Sequence, residues 1–377
     1  MNNMGYKKIR AIISGGGTGG HIFPAISIAD KLKELNPETE ILFVGAEGKM
    51  EMEKVPAAGY KIAGLPIRGL QRQLSWKNLV NDIKVPFLML KSERMAARLI
   101  DEFKPDIAIG VGGFASAPLL RKAVAKKIPA LIQEQNGFAG LTNKMLAKKV
   151  QCICVAYEGM ERFFPADKIV FSGNPIRKEF HPYSDEDKAE ALKFYDLTPG
   201  KKHLLVVGGS LGSGTLNKAM KKWISDGCPG GKNVEVIWQC GKYYKKGIDE
   251  FISGRNLPGI LHSDFIARMD LAYAAADVVI SRSGASSISE ICAVRRAAVF
   301  VPSPNVAEDH QTHNAMALVN KGAALIVKDA EAEEKLLDTA ISLAHDPERI
   351  AGIEKNVAPL ARLDAAATIA EEIYKLV

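Results

Sequence analysis

At 377 residues the chain is longer than a single hydrophobic core usually serves, since cores stop growing near about 250–300 residues, and two domains are expected. Lys+Arg 50 against Asp+Glu 43 gives a net charge of +7, which favours an anionic partner, yet no basic run interleaved with aromatics suggests strand binding, and nucleic acid is not expected. The five cysteines (Cys152, Cys154, Cys228, Cys240, Cys292) are odd in number and scattered, which argues against a disulfide framework or a zinc site; with no signal-like segment and no apolar run of about 18 residues, a reducing, cytoplasmic location is expected.

The first predicted element is an apolar strand over residues 9–13 that runs into Ser14-Gly15-Gly16-Gly17-Thr18-Gly19-Gly20-His21-Ile22-Phe23-Pro24. Five glycines among six residues bare the backbone N–H groups, and the spacing of Ile22, Ile26, Ile28, Ala29 and Leu32 starts a helix directly after them. Such a junction binds anions or closely approached polar ligands. Gly15, Gly17 and Gly20 also satisfy the dinucleotide-binding spacing. His21, at the helix start, sits over whatever the loop holds and suits a catalytic base.

Strands over 40–44 and 61–65 follow, and the strand–helix alternation predicts a parallel sheet. Residues 70–95 mix apolar side chains such as Trp76 and Phe87 with Arg72, Lys77, Lys84 and Lys91, and Pro86 is expected to divide the segment into two helices. Two readings stay open for it, a core-facing helix with a basic outer face or contact with a membrane surface. A buried strand over 105–110 enters a second glycine turn, Gly112-Gly113-Phe114, before a helix from Ala117. The strand over 128–132 exits into Gln133-Glu134-Gln135-Asn136-Gly137, a polar cluster where open α/β sheets bind ligands. Strands over 151–156 and 169–172 come next, the second ending in Gly173-Asn174-Pro175-Ile176-Arg177; Cys152 and Cys154 are expected to lie one on each face of their strand.

After a charged helix over 183–193 and a turn at 199–202, the opening pattern recurs. A strand over 204–207 enters the glycine loop 208–214 and then a helix, and the Asp-led run 276–285 parallels the run 105–114. Two similar Rossmann-like halves are expected. The last predicted element is an amphipathic helix over 360–376.

In this order, GGGTGGHIFPA, GGF, EQNGFAGLTNK, GNPIR, GGSLGSG, RSGASSISE and HQTHNA resemble the MurG family, the cytoplasmic-face N-acetylglucosaminyltransferases of peptidoglycan synthesis, over nearly the whole chain. The resemblance implies an α/β, GT-B fold in which two Rossmann-like domains with parallel sheets face an interdomain cleft. Residues 1–177 would form the acceptor and membrane-facing domain, 178–355 the UDP-GlcNAc domain, and 356–377 a helix packing back on the first. The implied reaction is inverting transfer of GlcNAc from UDP-GlcNAc to the C4 hydroxyl of the muramyl sugar of lipid I, giving lipid II and UDP at an anionic inner-membrane surface. No cofactor and no metal is expected; the acids of Asp185-Glu186-Asp187 read as a helix start.

The same resemblance assigns roles. Thr18, Gly19, Gly20 and Asn136 would face the sugar and the acceptor diphosphate, with His21 as base and Glu134 as the alternative. The loop 208–214 with Ser210 would hold the leaving diphosphate, with Arg177 and Arg282 as candidate guanidinium ligands for it; the alternative for either arginine is a surface or interdomain ion pair. Glu290 would accept the ribose hydroxyls rather than merely offset a helix dipole, Ile266 with Ala285, Ser286, Ser287, Ile288 and Ser289 would hold uracil, and Gln311, with His310 less secure, would address sugar hydroxyls. His181, His203, His262 and His345 read as surface or structural. Two rival classes remain: a dehydrogenase, with Glu47 as a ribose ligand, explains only the first half, and a non-catalytic nucleotide-sugar binder has no use for His21.

Overall fold

The apolar runs build two separate parallel sheets. In this computed structural model, which describes residues 5–67, 85–209, 211–306 and 309–377, the chain divides into one unit formed by Met1–Arg177 with Leu363–Val377 and a second formed by Lys178–Arg362.

The first unit contains β1 (Arg10–Ser14), α1 (Gly19–Leu35), β2 (Glu40–Ala46), α2 (Glu51–Ala57), β3 (Lys61–Leu65), α3 (Val85–Phe103), β4 (Ile107–Gly110), α4 (Ser116–Ala125), β5 (Ala130–Glu134), α5 (Leu141–Leu146), β6 (Cys152–Val155) and β7 (Ile169–Phe171). Its strands lie in the order β3-β2-β1-β4-β5-β6-β7, every pair parallel. Parallel strands are buried on both faces, and alternate residues of β1 show it: Ile12 joins one apolar cluster, Ala11 and Ile13 the other. The strand order reverses between β1 and β4, so the glycine loops leaving these two strands flank the switch point where such sheets take ligands.

The second unit repeats the plan with α6 (Asp185–Phe194), β8 (Lys202–Val207), α7 (Gly214–Ser225), β9 (Val234–Gln239), α8 (Lys245–Ile252), β10 (Ile260–Ser263), α9 (Met269–Ala275), β11 (Val278–Ser281), α10 (Ala285–Val294), β12 (Ala297–Phe300), α11 (His310–Val319), β13 (Leu325–Ile326), α12 (Ala332–Ala344) and α13 (Pro347–Val357). The order β10-β9-β8-β11-β12-β13, again all parallel, puts its switch point between β8 and β11.

Several expectations change in detail. A boundary at 355 would cut α13 near its end, and the chain instead leaves the second unit at Arg362. The last helix, α14 (Ala365–Lys375), then buries Ile369, Ala370 and Ile373 in the α1 side of the first core, each isoleucine contributing about 2 kcal/mol. Pro86 lies within α3 (Val85–Phe103), and the other helix expected of this segment, with Trp76 and Lys84, falls in residues 68–84, outside the described residues. Cys152 and Cys154 share one face of β6, sulfurs 3.9 Å apart, because strand side chains alternate and residues two apart point the same way.

Candidate functional site

In the first unit the loop after β1 is held from beneath by a side chain that sequence reasoning passed over. Glu51, fully buried at the start of α2, accepts the Gly17 N–H on one carboxylate oxygen and the Ala46 N–H on the other, each at 3.0 Å. Glycine at 45 makes room for it, since a Cβ there would come within 2.5 Å of the Glu51 Cγ, and a side chain at 16 would overlap the carboxylate itself. Glu47, the acid that the dehydrogenase reading needs, is instead exposed.

The helix begins with Thr18 as its cap. The Thr18 carbonyl accepts the N–H of His21 at 3.1 Å and of Ile22 at 3.2 Å, which fixes Gly19, Gly20 and His21 in the first turn. The His21 ring rests on Gly112 of the loop after β4, a residue at φ +80 whose absent Cβ would meet the ring Cδ2 at 2.8 Å and Nε2 at 3.0 Å. Only glycine serves at such a φ with a ring so close. His21 Nδ1 lies 3.1 Å from the Gly16 carbonyl oxygen and 3.2 Å from Thr18 Oγ1. A carbonyl can only accept, so in the neutral ring the proton sits on Nδ1 and the lone pair on Nε2.

The polar exit of β5 behaves differently for each of its members. Glu134, 2% exposed, receives the Asn136 N–H at 3.2 Å and Asn136 Nδ2 at 3.4 Å on one oxygen, and the Gly140 N–H at 2.9 Å and Asn143 Nδ2 at 2.8 Å on the other. Four donors leave this carboxylate little to offer a proton in flight; it shapes the 135–143 loop and holds Asn136. Gln133 donates to Asn174 at 2.9 Å, and Asn174 donates to the Gln135 carbonyl at 3.0 Å, which joins the Gly-Asn-Pro turn to β5. Arg177, three residues on, lies with its guanidinium 5.6 Å over the ring of Phe23 in α1. Sequence reasoning named Arg177 but not the stacking.

In the second unit the loop after β8 leads into α7, where Ser213 caps the helix by accepting the Leu216 N–H at 3.4 Å. Ser210 lies outside the described residues. Arg282, leaving β11, gives Nε to Ser213 Oγ at 2.9 Å and Nη1 to the Val301 carbonyl at 2.9 Å, the Pro302 carbonyl and the Asp329 carboxylate. The pair with Asp329 joins two mostly buried residues of the second unit, which neither sequence reading named, and the arginine ties the loop through Ser213. Asp329 had no sequence signal beyond being an acid after a strand.

Glu290 is the sixth residue of α10, beyond the first turn where a carboxylate offsets the helix dipole, and it accepts from Tyr273 at 3.1 Å. Ala285 and Ile288 are buried, Ser289 bonds back to the Ala285 carbonyl, and the Ser286 hydroxyl is enclosed without a hydrogen-bond partner. Ser287 faces the glycine that caps the helix, with its hydroxyl oxygen 4.0 Å from where a Gly284 Cβ would be. Gln311 accepts the Ser303 N–H at 2.9 Å through its side chain and the Ser283 hydroxyl at 2.8 Å through its carbonyl, tying α11 to the β11 turn. Ile266 lines a cleft of about 220 Å³ with Phe194, Tyr195, Phe265 and Arg268. Asp187 spends its carboxylate on the Ser184 N–H at the α6 cap, and among the described residues no cluster of three or more metal-ligating side chains occurs.

Comparisons with known proteins bear on the family and the fold. The family models described as the glycosyltransferase family 28 N-terminal domain and C-terminal domain match residues 11–155 and 203–372. A UDP-N-acetylglucosamine--N-acetylmuramyl-(pentapeptide) pyrophosphoryl-undecaprenol N-acetylglucosamine transferase of Parabacteroides distasonis is 54% identical over 98% of this chain and 99% of its own. The protein of the same name from Bacteroides thetaiotaomicron is 51% identical over 98% of both. Among solved structures, the MurG of Acinetobacter baumannii superposes with a TM-score of 0.75 at 26% identity, covering 98% of this chain and all of that one. A UDP-N-acetylglucosamine 2-epimerase, at 13% identity and a TM-score of 0.66 over 97% of this chain and 95% of its own, shares the fold alone.

Proposed function

The chain belongs to the MurG family of N-acetylglucosamine transferases, with both domains of glycosyltransferase family 28, and on that premise we propose how its own residues carry the reaction. The reaction moves GlcNAc from UDP-GlcNAc to the pyrophosphoryl-undecaprenol-linked MurNAc-pentapeptide, lipid I, and the protein is a hexosyltransferase of peptidoglycan synthesis. A dehydrogenase is thereby set aside.

The chemistry is one in-line displacement at the anomeric carbon. The acceptor C4 oxygen forms the new bond to C1, the C1–oxygen bond to the diphosphate breaks with its electron pair going to UDP, and the configuration inverts. His21 Nε2 takes the hydroxyl proton as the bond forms, and the observation that carries this role is the Gly16 carbonyl on Nδ1, which leaves Nε2 as the basic nitrogen. Thr18, Gly19, Gly20 and Asn136 position the sugar and the acceptor diphosphate. In the second unit the loop after β8 offers N–H donors at the start of α7 to the leaving diphosphate, with Ser210 adding a hydroxyl and Arg282 bracing the loop; Arg177, the last residue of the first unit's main segment, is the candidate guanidinium ligand. Glu290 takes the ribose hydroxyls, Gln311 the GlcNAc hydroxyls, and Ile266 with residues 285–289 the uracil. No metal is required, since these donors already meet the charge that develops.

The acceptor's polyprenyl tail stays in the bilayer, so the enzyme works as a peripheral protein on an anionic inner-membrane surface. Supporting this are Phe87 and Leu90, 71% and 57% exposed on α3 beside Lys91, and the mixed apolar and basic composition of residues 70–84. Among the described residues no helix is long and apolar enough to cross a membrane. Turnover of lipid I with His21→Ala tests the central role: kcat falls by about 10²-fold or more while UDP binding is retained, and near-normal turnover would refute it.

A further inference from the structure

The Glu51 carboxylate and the His21 imidazole are attached to opposite ends of one peptide unit. Gly17 N–H, which Glu51 Oε2 accepts at 3.0 Å, and the Gly16 carbonyl, which receives His21 Nδ1 at 3.1 Å, belong to the same amide. No peptide bond of the described residues is cis, so that amide is trans and its N–H and C=O point in opposite directions. Fixing one end therefore aims the other. The buried carboxylate also polarises the amide, since hydrogen bonds in a chain strengthen one another, and makes the carbonyl a better acceptor for the Nδ1 proton.

We propose that Glu51 is a positioning residue for the transfer, acting on His21 through the 16–17 peptide so that the imidazole keeps its proton on Nδ1 and its lone pair on Nε2. The arrangement does the work of a carboxylate set directly against a histidine, with one backbone amide interposed. Three observations support it. Glu51 is fully buried, and the hydrogen bonds recorded for its two oxygens come from backbone N–H groups rather than from a cation. Glycines at 16 and 45 clear the space that its side chain occupies. The second oxygen ties to Ala46 at the end of β2, so the loop is referenced to the sheet and not to another loop. The proposal rests on His21 being the base, and the test separates the two claims.

Full-length protein labelled with 15N-histidine reports the His21 tautomer directly, and steady-state kinetics with lipid I are measured for His21→Ala, Glu51→Gln and the double variant. In Glu51→Gln a donor amide replaces one acceptor oxygen at unchanged size, so the peptide loses its fixed aim. With UDP-GlcNAc binding within about twofold of wild type and a retained thermal transition, kcat falls by about 10- to 100-fold, the cost usual for a lost orienting partner. The His21 signal moves from the Nδ1–H form to a mixture, and the double variant is no slower than His21→Ala alone, because a residue acting through another adds nothing once that other is gone. If Glu51→Gln does not fold, Gly45→Ala takes its place: its Cβ displaces the Glu51 Cγ from 2.5 Å without removing the charge, and the same loss is expected. Wild-type kcat in whichever variant folds, with His21→Ala inactive, overturns the relay and leaves the base standing. An equal further loss on top of His21→Ala also overturns it. An active His21→Ala overturns the base, and the relay falls with it.

Discussion

Gly112→Ala tests whether the exact seat of the His21 ring matters for the chemistry. The substitution has two separable costs. Gly112 stands at φ +80, a backbone region that costs a residue with a Cβ about 1–2 kcal/mol. The new methyl would also stand 2.8 Å from His21 Cδ2, 3.0 Å from Nε2 and 3.2 Å from Gln135 Oε1. A relaxed carbon–carbon contact is about 3.5 Å, so the ring must retreat by roughly 0.7 Å, and since Nδ1 is hydrogen-bonded to Gly16 the retreat stretches that bond. Misplacing a reacting group by about 1 Å costs up to about 10²-fold in rate, and a kcat loss of about 10- to 100-fold is expected. Gly59→Ala is the control: φ there is +86, but nothing lies within 4 Å of the new methyl. Both variants should lower Tm by about 2–8 °C from the backbone cost. Only Gly112→Ala should lose turnover of lipid I under saturating substrate. Equal kcat for the two variants would show that the ring's seat on Gly112 is not part of the catalytic geometry.

Glu290→Ala should weaken UDP-GlcNAc binding by about 2 kcal/mol, because two hydroxyls lose a charged acceptor, and an unchanged Kd by titration calorimetry would remove it from the donor site. Asp277 should confer a pH-dependent share of the second unit's stability. Burial alone would raise its pKa, but the His203 ring and N–H and the Lys188 ammonium outweigh that and hold it well below the usual carboxylate range. A depressed carboxylate stabilises above its unfolded pKa of about 4 and loses that contribution as pH falls through the folded value. Asp277→Asn should therefore cost about 2–3 kcal/mol near neutrality and progressively less below about pH 4, and a pH-independent difference in denaturant melts would contradict the assignment. Excess chelator, or Asp185→Asn with Asp187→Asn, should leave turnover with solubilised lipid I intact, since the Asp187 carboxylate serves the α6 cap; loss of turnover in either would mean that a cation takes part.

The parts of the site that the sequence reveals are those whose chemistry is local. A glycine loop between an apolar strand and an amphipathic helix announces itself within fifteen residues, and it does so twice, after β1 and after β8. Both sheets follow from the same alternation. What stays hidden depends on distance along the chain. Glu51 sits thirty-four residues from Gly17, and its neighbour Glu47 drew attention because it ends a strand, the place a ribose acid would occupy; only the β1–β2 pairing brings α2 beneath the loop and gives the carboxylate its amides. Gly45 is a local trace of Glu51, a small residue in a strand where a side chain would collide, and Gly16 is its counterpart in the loop. Arg282 shows the reverse case. Its position on a turn at a strand end suggests a ligand for phosphate, but Asp329, forty-seven residues on and just past β13, pairs with it. Glu134 follows the same logic, since a carboxylate at a strand exit has the right address for a base, and residues 136–143 bring four donors to it that the sequence does not announce. A polar residue at the end of a parallel strand is thus not marked for chemistry by its place alone, because the hydrogen bonds that distant residues bring to it are not visible along the chain. In the reading proposed above His21 is the proton acceptor, since the Gly16 carbonyl holds Nδ1 and directs the lone pair to Nε2.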